Sequence, residues 1–185
     1  MSPLPAGPQV LPPENLPRRA NLRFMLSNPA HLIALGFGSG LAPWAPGTVG
    51  TLWAWLSFVL FRPYLSDAVC AWILLVAVLA GWWCSTITAR HLRVADPGVI
   101  VCDEIVAFWL VLWLVTPAGL LAQCFAFALF RYFDAAKPGP VGWADQRFKL
   151  QPGESIGWAQ GFGVMVDDLV AAGCSLIVIA LWRWW

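Results

Sequence analysis

Charge is what this chain has least of. Asp, Glu, Lys and Arg make up 11% of its 185 residues, and their near balance leaves a net charge of +1. A water-soluble domain carries about 25% charged residues, so a soluble globular enzyme is excluded. A disordered chain is excluded for its high apolar content, and a nucleic-acid partner for want of a basic field. Histidine is nearly missing: His31 and His91 stand alone, in no HExxH or paired spacing, which argues against zinc. The five cysteines, Cys70, Cys84, Cys102, Cys124 and Cys174, form no CxxC pair and lie in or beside apolar runs. They read as small buried hydrophobes rather than a disulfide framework. No apolar leader follows Met1. Residues 1–26 read as a disordered or amphipathic tail and 27–185 as a single membrane-embedded domain.

What is present is apolar. Residues of the AVILMFWYC set reach 59%, including 13 Trp, and the mean hydropathy is +0.69. Tryptophan in such numbers suits the headgroup belts of a bilayer. The expected fold is therefore all-α, a polytopic integral membrane helical bundle. Five apolar segments run Val49–Phe61, Ala68–Cys84, Val99–Val115, Pro117–Phe133 and Val164–Trp182. A helical span needs roughly 17–25 residues, so the short first or the fourth segment could be interfacial or re-entrant. Strict strand alternation is missing throughout, which removes a barrel. Nine cations (Arg18, Arg19, Arg23, Arg90, Arg93, Arg131, Lys137, Arg147 and Lys149) fall on one side of this topology, and Arg62 and Arg183 on the other. By the positive-inside rule the nine face the cytoplasm.

Under that topology five of the ten carboxylates reach the cytoplasmic face on three helices. Asp103 and Glu104 lie in the first turns of the third span, Asp134 at the exit of the fourth, and Asp167 and Asp168 in the first turns of the fifth. Carboxylates beside hydrocarbon cost several kcal/mol unless paired or metal-bound. A hard divalent cation such as Mg²⁺ offsets that cost. For the two adjacent pairs a second reading stays open, acids favoured at helix N-termini by the macrodipole. Asp134 at a helix C-terminus does not fit it. Neighbouring residues point about 100° apart on a helix, so at most one acid of each pair is expected as a direct ligand, the other orienting water or lysine. Asp134 and Lys137, three apart, share a face as an ion pair or as a metal ligand beside a phosphate-binding charge.

Residues 36–50, GFGSGLAPWAPGTVG, hold five glycines and two prolines and read as a loop, not a helix interior. Bare backbone amides at Gly38, Gly40 and Gly47, with the hydroxyls of Ser39 and Thr48, could nest an anion. The loop is no Walker motif. Cys84 and Arg90 have the C-x5-R spacing of cysteine phosphatases, but the stretch lacks glycine and continues a helix, so its amides are already bonded.

Taken in order, several fragments resemble the phosphatidylglycerophosphatase A family. They are Ser27-Asn-Pro29 with His31-Leu32, Gly36-Phe-Gly-Ser-Gly-Leu41 with Pro43, and Pro46-Gly-Thr-Val-Gly50. Further on come Val101-Cys-Asp-Glu-Ile-Val106, Phe130-Arg-Tyr-Phe-Asp134 with Lys137-Pro138 and Pro140, and Gly161-Phe-Gly-Val-Met-Val-Asp-Asp168. The resemblance implies a phosphatase domain in the bacterial inner membrane. It would be a Mg²⁺-dependent enzyme converting phosphatidylglycerophosphate to phosphatidylglycerol and phosphate at the cytoplasmic leaflet. Asp103, Glu104, Asp134, Lys137, Asp167 and Asp168 would form the catalytic set, the five acids around the metal, with Asp134 and Asp168 the first choices as ligands and Asp103, Glu104 and Asp167 sharing ligand and water-positioning roles. Gly38, Ser39, Gly40, Gly47, Thr48 and Lys137 would hold the substrate phosphate. The substrate is then a bilayer lipid, and homo-oligomerisation is left open. A membrane transporter or channel using intramembrane carboxylates is the rival class; it predicts acids near the midplane and inverted repeats, and no repeat is visible. A phosphotransferase of the phospholipid-synthase kind would need a D-x2-D-G-x2-A-R pattern, which is missing.

Overall fold

The computed structural model describes residues 17–151 and 154–184, so most of the N-terminal tail lies outside the described residues. Within them every regular element is helical and no strand occurs. Two short helices come first, α1 (Leu22–Leu26) and α2 (Pro29–Ala34). Each starts where an asparagine side chain accepts an early amide, Asn21 from Phe24 at 2.8 Å and Asn28 from Ala30 at 2.9 Å. A 3₁₀ segment, Gly36–Leu41, follows and is broken by left-handed residues at Phe37 and Gly38. Then come α3 (Pro46–Phe61), α4 (Asp67–Leu92), α5 (Cys102–Val115), α6 (Leu120–Ala136), α7 (Pro140–Arg147) and α8 (Trp158–Trp184).

The glycine-rich stretch is therefore not one loop. Its last five residues, Pro46 to Gly50, open α3. Pro46 sits at the first helical position, where its fixed φ and missing N–H cost nothing. Gly50 lies on the packed side of α3, where a Cβ would come within 2.8 Å of Val101. The C-x5-R stretch lies inside α4, as its lack of glycine implied.

All five apolar segments became helices, but they differ in reach. At 1.5 Å per residue, the 26 residues of α4 and the 27 of α8 extend about 39 and 40 Å, more than the hydrocarbon core of about 30 Å. These two are long and apolar enough to cross a membrane, and only 28% and 39% of their most apolar windows are buried. A soluble core helix would be mostly buried; these turn Trp72, Leu75, Val76, Leu79, Ile177 and Leu181 outward. That outward apolar surface is the surface of a membrane protein. By the same arithmetic α3, α5 and α6 extend about 24, 21 and 26 Å.

Helix α5 is the hub, packing against α3, α4, α6 and α8. Phe108 at its middle is fully buried and meets Phe127 and Phe130 of α6 and Trp55 of α3. Indole N–H groups on that side are paired: Trp55 Nε1 donates to Gln123 at 2.7 Å, and Trp109 Nε1 to the Ala54 carbonyl at 2.9 Å. On the other side Gly161 of α8 lies so close to α4 that a Cβ would stand 2.9 Å from Thr86 Cα. These contacts fix the register of α3, α6 and α8 around the first turn of α5.

Candidate active site

The start of α5 is held by what precedes it. The Val101 amide donates to the Ala34 carbonyl at 2.9 Å, and Gly40 presses on the Val99 carbonyl, where a Cβ would come to 2.0 Å. Thus Gly40 serves close approach of the glycine turn to the segment feeding α5. Ser39 Oγ donates to the Gly36 carbonyl at 2.9 Å, within the turn, and Gly38 supplies its positive φ of 107°. Gly47 and Thr48 lie apart from these, in the first turn of α3. That turn has no side-chain cap, because its N-cap is Ala45, so early amides are left without an intrahelical partner.

Asp103 and Glu104 occupy the first turn of α5. Together with Asp168 they place one carboxylate oxygen each within 4.8 Å of the others. Asp103 and Asp168 are 8% and 3% exposed. Both acids of the 103–104 pair thus reach one point, where one was expected. Asp103 Oδ1 accepts the Glu104 amide at 3.0 Å, which folds its side chain back over the helix start, and Glu104 is one methylene longer. Glu104 Oε1 lies against Gly47, where a Cβ would come within 2.2 Å of it. Its other oxygen, Oε2, is buried with no hydrogen-bond partner among the described residues. Asp134, at the end of α6, faces both Glu104 and Asp168.

Asp167 and Asp168 are not in the first turns of their helix. α8 begins at Trp158, so both lie in its third turn. The macrodipole acts within the first turn and does not explain them. Asp167 also separates from its neighbour: it bonds Lys137 and leaves Oδ1 buried without a partner among the described residues.

Lys137 does not pair with Asp134. It ends α6 in the left-handed conformation, φ 45°, so its side chain leaves the helical face that the spacing of three implied. Its ammonium is clamped by Asp145 of α7 at 2.5 Å and by Asp167. Burial disfavours this ammonium, but the two carboxylates outweigh it and hold its pKa above the ordinary lysine value. Lys149 holds the other Asp145 oxygen at 2.7 Å. Burial pushes the Asp145 carboxyl up, and the two ammonium groups prevail, leaving it below the usual carboxylate range.

The partner of Asp134 is Arg131, one turn earlier on α6. Its Nη1 also stands 3.9 Å from Glu104 Oε1 and 3.4 Å from Thr51 Oγ1. In the sequence Arg131 counted only towards topology, although it has the same spacing of three from Asp134 as Lys137 has. Asp145 carried no role either, since nothing local shows that α7 folds back over Lys137.

Fold and centre together define a helical membrane protein with a buried, oxygen-rich anionic site. It is built at one end of its central helix, with Arg131 against Asp134 and Glu104 and with Lys137 bonded to Asp167, the neighbour of Asp168. Residues 32–183 match the phosphatidylglycerophosphatase A family. The chain belongs to that family, and its members' activity makes it a phosphatase. Phosphatidylglycerophosphatase A of Haemophilus influenzae is 34% identical over 163 residues, covering 88% of this chain and 94% of that protein. Its Escherichia coli K12 namesake is 34% identical over 163 residues, covering 86% and 88%. A Bacteroides thetaiotaomicron protein, provisionally named a phosphatidylinositol-3-phosphatase, is 36% identical over 160 residues, covering 83% and 92%. No solved structure matches the chain.

Proposed function

We propose that this chain removes the terminal phosphate of phosphatidylglycerophosphate, with Mg²⁺ as cofactor, from a multi-pass position in the bacterial inner membrane with its site at the cytoplasmic leaflet. The observation that carries this reading is the convergence of Asp103, Glu104 and Asp168 on one point. Three crowded carboxylates, two of them buried, repel one another and have lost much of their water, and Arg131, the cation nearest them, stands 3.9 Å from Glu104. The partnerless Glu104 Oε2 is a buried acceptor of the kind that a hard cation satisfies. All-oxygen donors suit Mg²⁺, so the residues fit the ion.

Asp103, Glu104 and Asp168 are the ligands in this reading, with Asp134 beside them and Asp167 outside, committed to Lys137. Bound Mg²⁺ supplies Lewis-acid polarisation of a phosphoryl oxygen and lowers the pKa of a bound water. Lys137, kept cationic by Asp145 and Asp167, offers positive charge for the equatorial oxygens that gain charge in the transition state. The uncapped first turn of α3 at Gly47 and Thr48 gives amide donors on the wall facing Glu104. Acyl chains stay in the bilayer against the outward apolar faces. The cation bias supports the cytoplasmic orientation, since Arg90, Arg93, Arg131, Lys137, Arg147 and Lys149 flank the helix ends that carry the acids.

Purified protein in detergent, given phosphatidylglycerophosphate with Mg²⁺ or with EDTA, tests both halves. Phosphate release with Mg²⁺ and its loss in EDTA is expected. Release from a phosphoinositide alone would move the substrate to the headgroup in the Bacteroides relative's name, and no release from either lipid defeats the proposal. A transporter would release none.

A further inference from the structure

Four carboxylates gather at the head of α5, and one guanidinium enters their midst. The contacts of Arg131 are one-sided. Its bond to Asp134, its 3.4 Å approach to Thr51 and its 3.9 Å approach to Glu104 all involve Nη1. Among the described residues, Nε and Nη2 donate to no protein atom, and the side chain keeps 20% of its surface. Guanidinium carries five N–H donors in a rigid fork. An arginine serving only as countercharge gains most by spending two parallel donors on one carboxylate. Arg131 instead grips Asp134 with one arm and keeps its Nε/Nη2 edge unspent.

The surroundings fit an anion at that edge. Gly47 presents no side chain, and a Cβ there would stand 3.3 Å from Nη1. Thr51 Oγ1 donates to the Gly47 carbonyl at 2.8 Å, so its lone pairs face the arginine, steadying Nη1 against α3. The guanidinium is thus oriented from two helices, and phosphate matches the Nε/Nη2 geometry in a way that an ammonium cannot.

We propose that Arg131 binds the substrate phosphate directly, with Nη1 anchored on Asp134 and the Nε/Nη2 edge donating to two phosphoryl oxygens. This rests on the site being that of a lipid phosphomonoesterase. Arg131 then joins Lys137 as a second, differently shaped phosphate contact, and Asp134 positions it.

The test uses the full chain in detergent. Arg131→Lys keeps the positive charge beside Asp134 and Glu104 but loses the fork. It is expected to melt with the wild type, to lose at least about tenfold in kcat/KM, and to weaken inhibition by inorganic phosphate by a similar factor. If Arg131→Lys keeps both quantities within twofold of wild type, Arg131 is countercharge alone and the proposal falls. A measurement on unmodified protein stands beside this in case the variant does not fold. Inorganic phosphate should slow phenylglyoxal labelling of Arg131, read by peptide mass spectrometry, and equal labelling with and without phosphate overturns the proposal. Wild type releasing no phosphate from any lipid would defeat the proposed function, while protection of Arg131 reads the anion seat separately.

Discussion

Gly47→Ala should separate stability from activity. Gly47 is the second residue of α3 and has an ordinary helical backbone, so alanine there favours folding, by up to about 1 kcal/mol on helix propensity. Against that, the new Cβ would stand 2.2 Å from Glu104 Oε1 and 3.3 Å from Arg131 Nη1. Carbon and oxygen need well over 3 Å, so the Glu104 head must withdraw by about 1 Å or swing to another rotamer. Because the clashing atom ends a flexible side chain, the fold absorbs it cheaply. The proposed chemistry does not: if Glu104 holds the metal, displacing it by about 1 Å can cost on the order of 100-fold. The expected outcome is a melting temperature equal to or above wild type with phosphate release from phosphatidylglycerophosphate down about 100-fold. Differential scanning fluorimetry and a phosphate-release assay on one preparation would measure both. An alanine variant retaining wild-type kcat/KM would refute any role for the position of Glu104.

Asp168→Asn, an isosteric change at a 3% exposed residue, should lower phosphate release by at least about 100-fold; calorimetric titration should also show weaker Mg²⁺ binding, and unchanged Mg²⁺ affinity would remove Asp168 from the ligand set. Asp145→Asn takes one carboxylate from Lys137 and should destabilise the fold by about 1 kcal/mol, discounted for the 29% exposure of Lys137. The raised Lys137 pKa contributes stability below about pH 10, lost as pH rises further, and the lowered Asp145 pKa contributes above about pH 4, lost as pH falls. The melting gap between wild type and Asp145→Asn should therefore be widest between those limits and close outside them. His31 is 3% exposed and stacks on Phe24. Burial lowers its pKa, the Phe24 carbonyl raises it, and nearby His91 lowers it again, with a net fall. A lowered histidine favours the folded state above the unfolded pKa of about 6.5 and loses that stability as pH drops. Melting temperature should fall below about pH 6 in wild type and less steeply in His31→Gln.

The apolar segments and the acids could be read directly from the chain because both signals are local: runs of Leu, Val, Ile and Trp, and carboxylates inside them. Helix starts were harder. Pro46 and Gly47 look like loop residues by composition, yet proline suits the first helical position and glycine there meets the Glu104 side chain across a sequence gap of more than fifty residues. Trp158 to Gly163 is too mixed to belong to an apolar run, so the sequence starts the last helix at Val164 and puts Asp167 and Asp168 in its first turns, whereas α8 begins six residues earlier. Pairings depended on one backbone angle. With Lys137 in a right-handed conformation, the spacing from Asp134 would have held; in the left-handed one, Arg131 took its place. Asp145 became a partner only because α7 returns along α8, which no local pattern encodes.

The shortness of α5 has a mechanical consequence under the multi-pass arrangement. α5 itself is enclosed by other helices, so lipid meets the shortfall at its neighbour α3, which turns Leu52, Leu56 and Leu60 outward. There a helix of about 24 Å in a hydrocarbon slab of about 30 Å leaves a deficit of roughly 6 Å to be made up by thinning. Where α3 and α5 lie side by side, headgroups sink towards the protein's middle instead of the carboxylates rising to meet water. A lipid phosphate would then descend to its scissile position with the leaflet itself, at a flank the protein has made shallow.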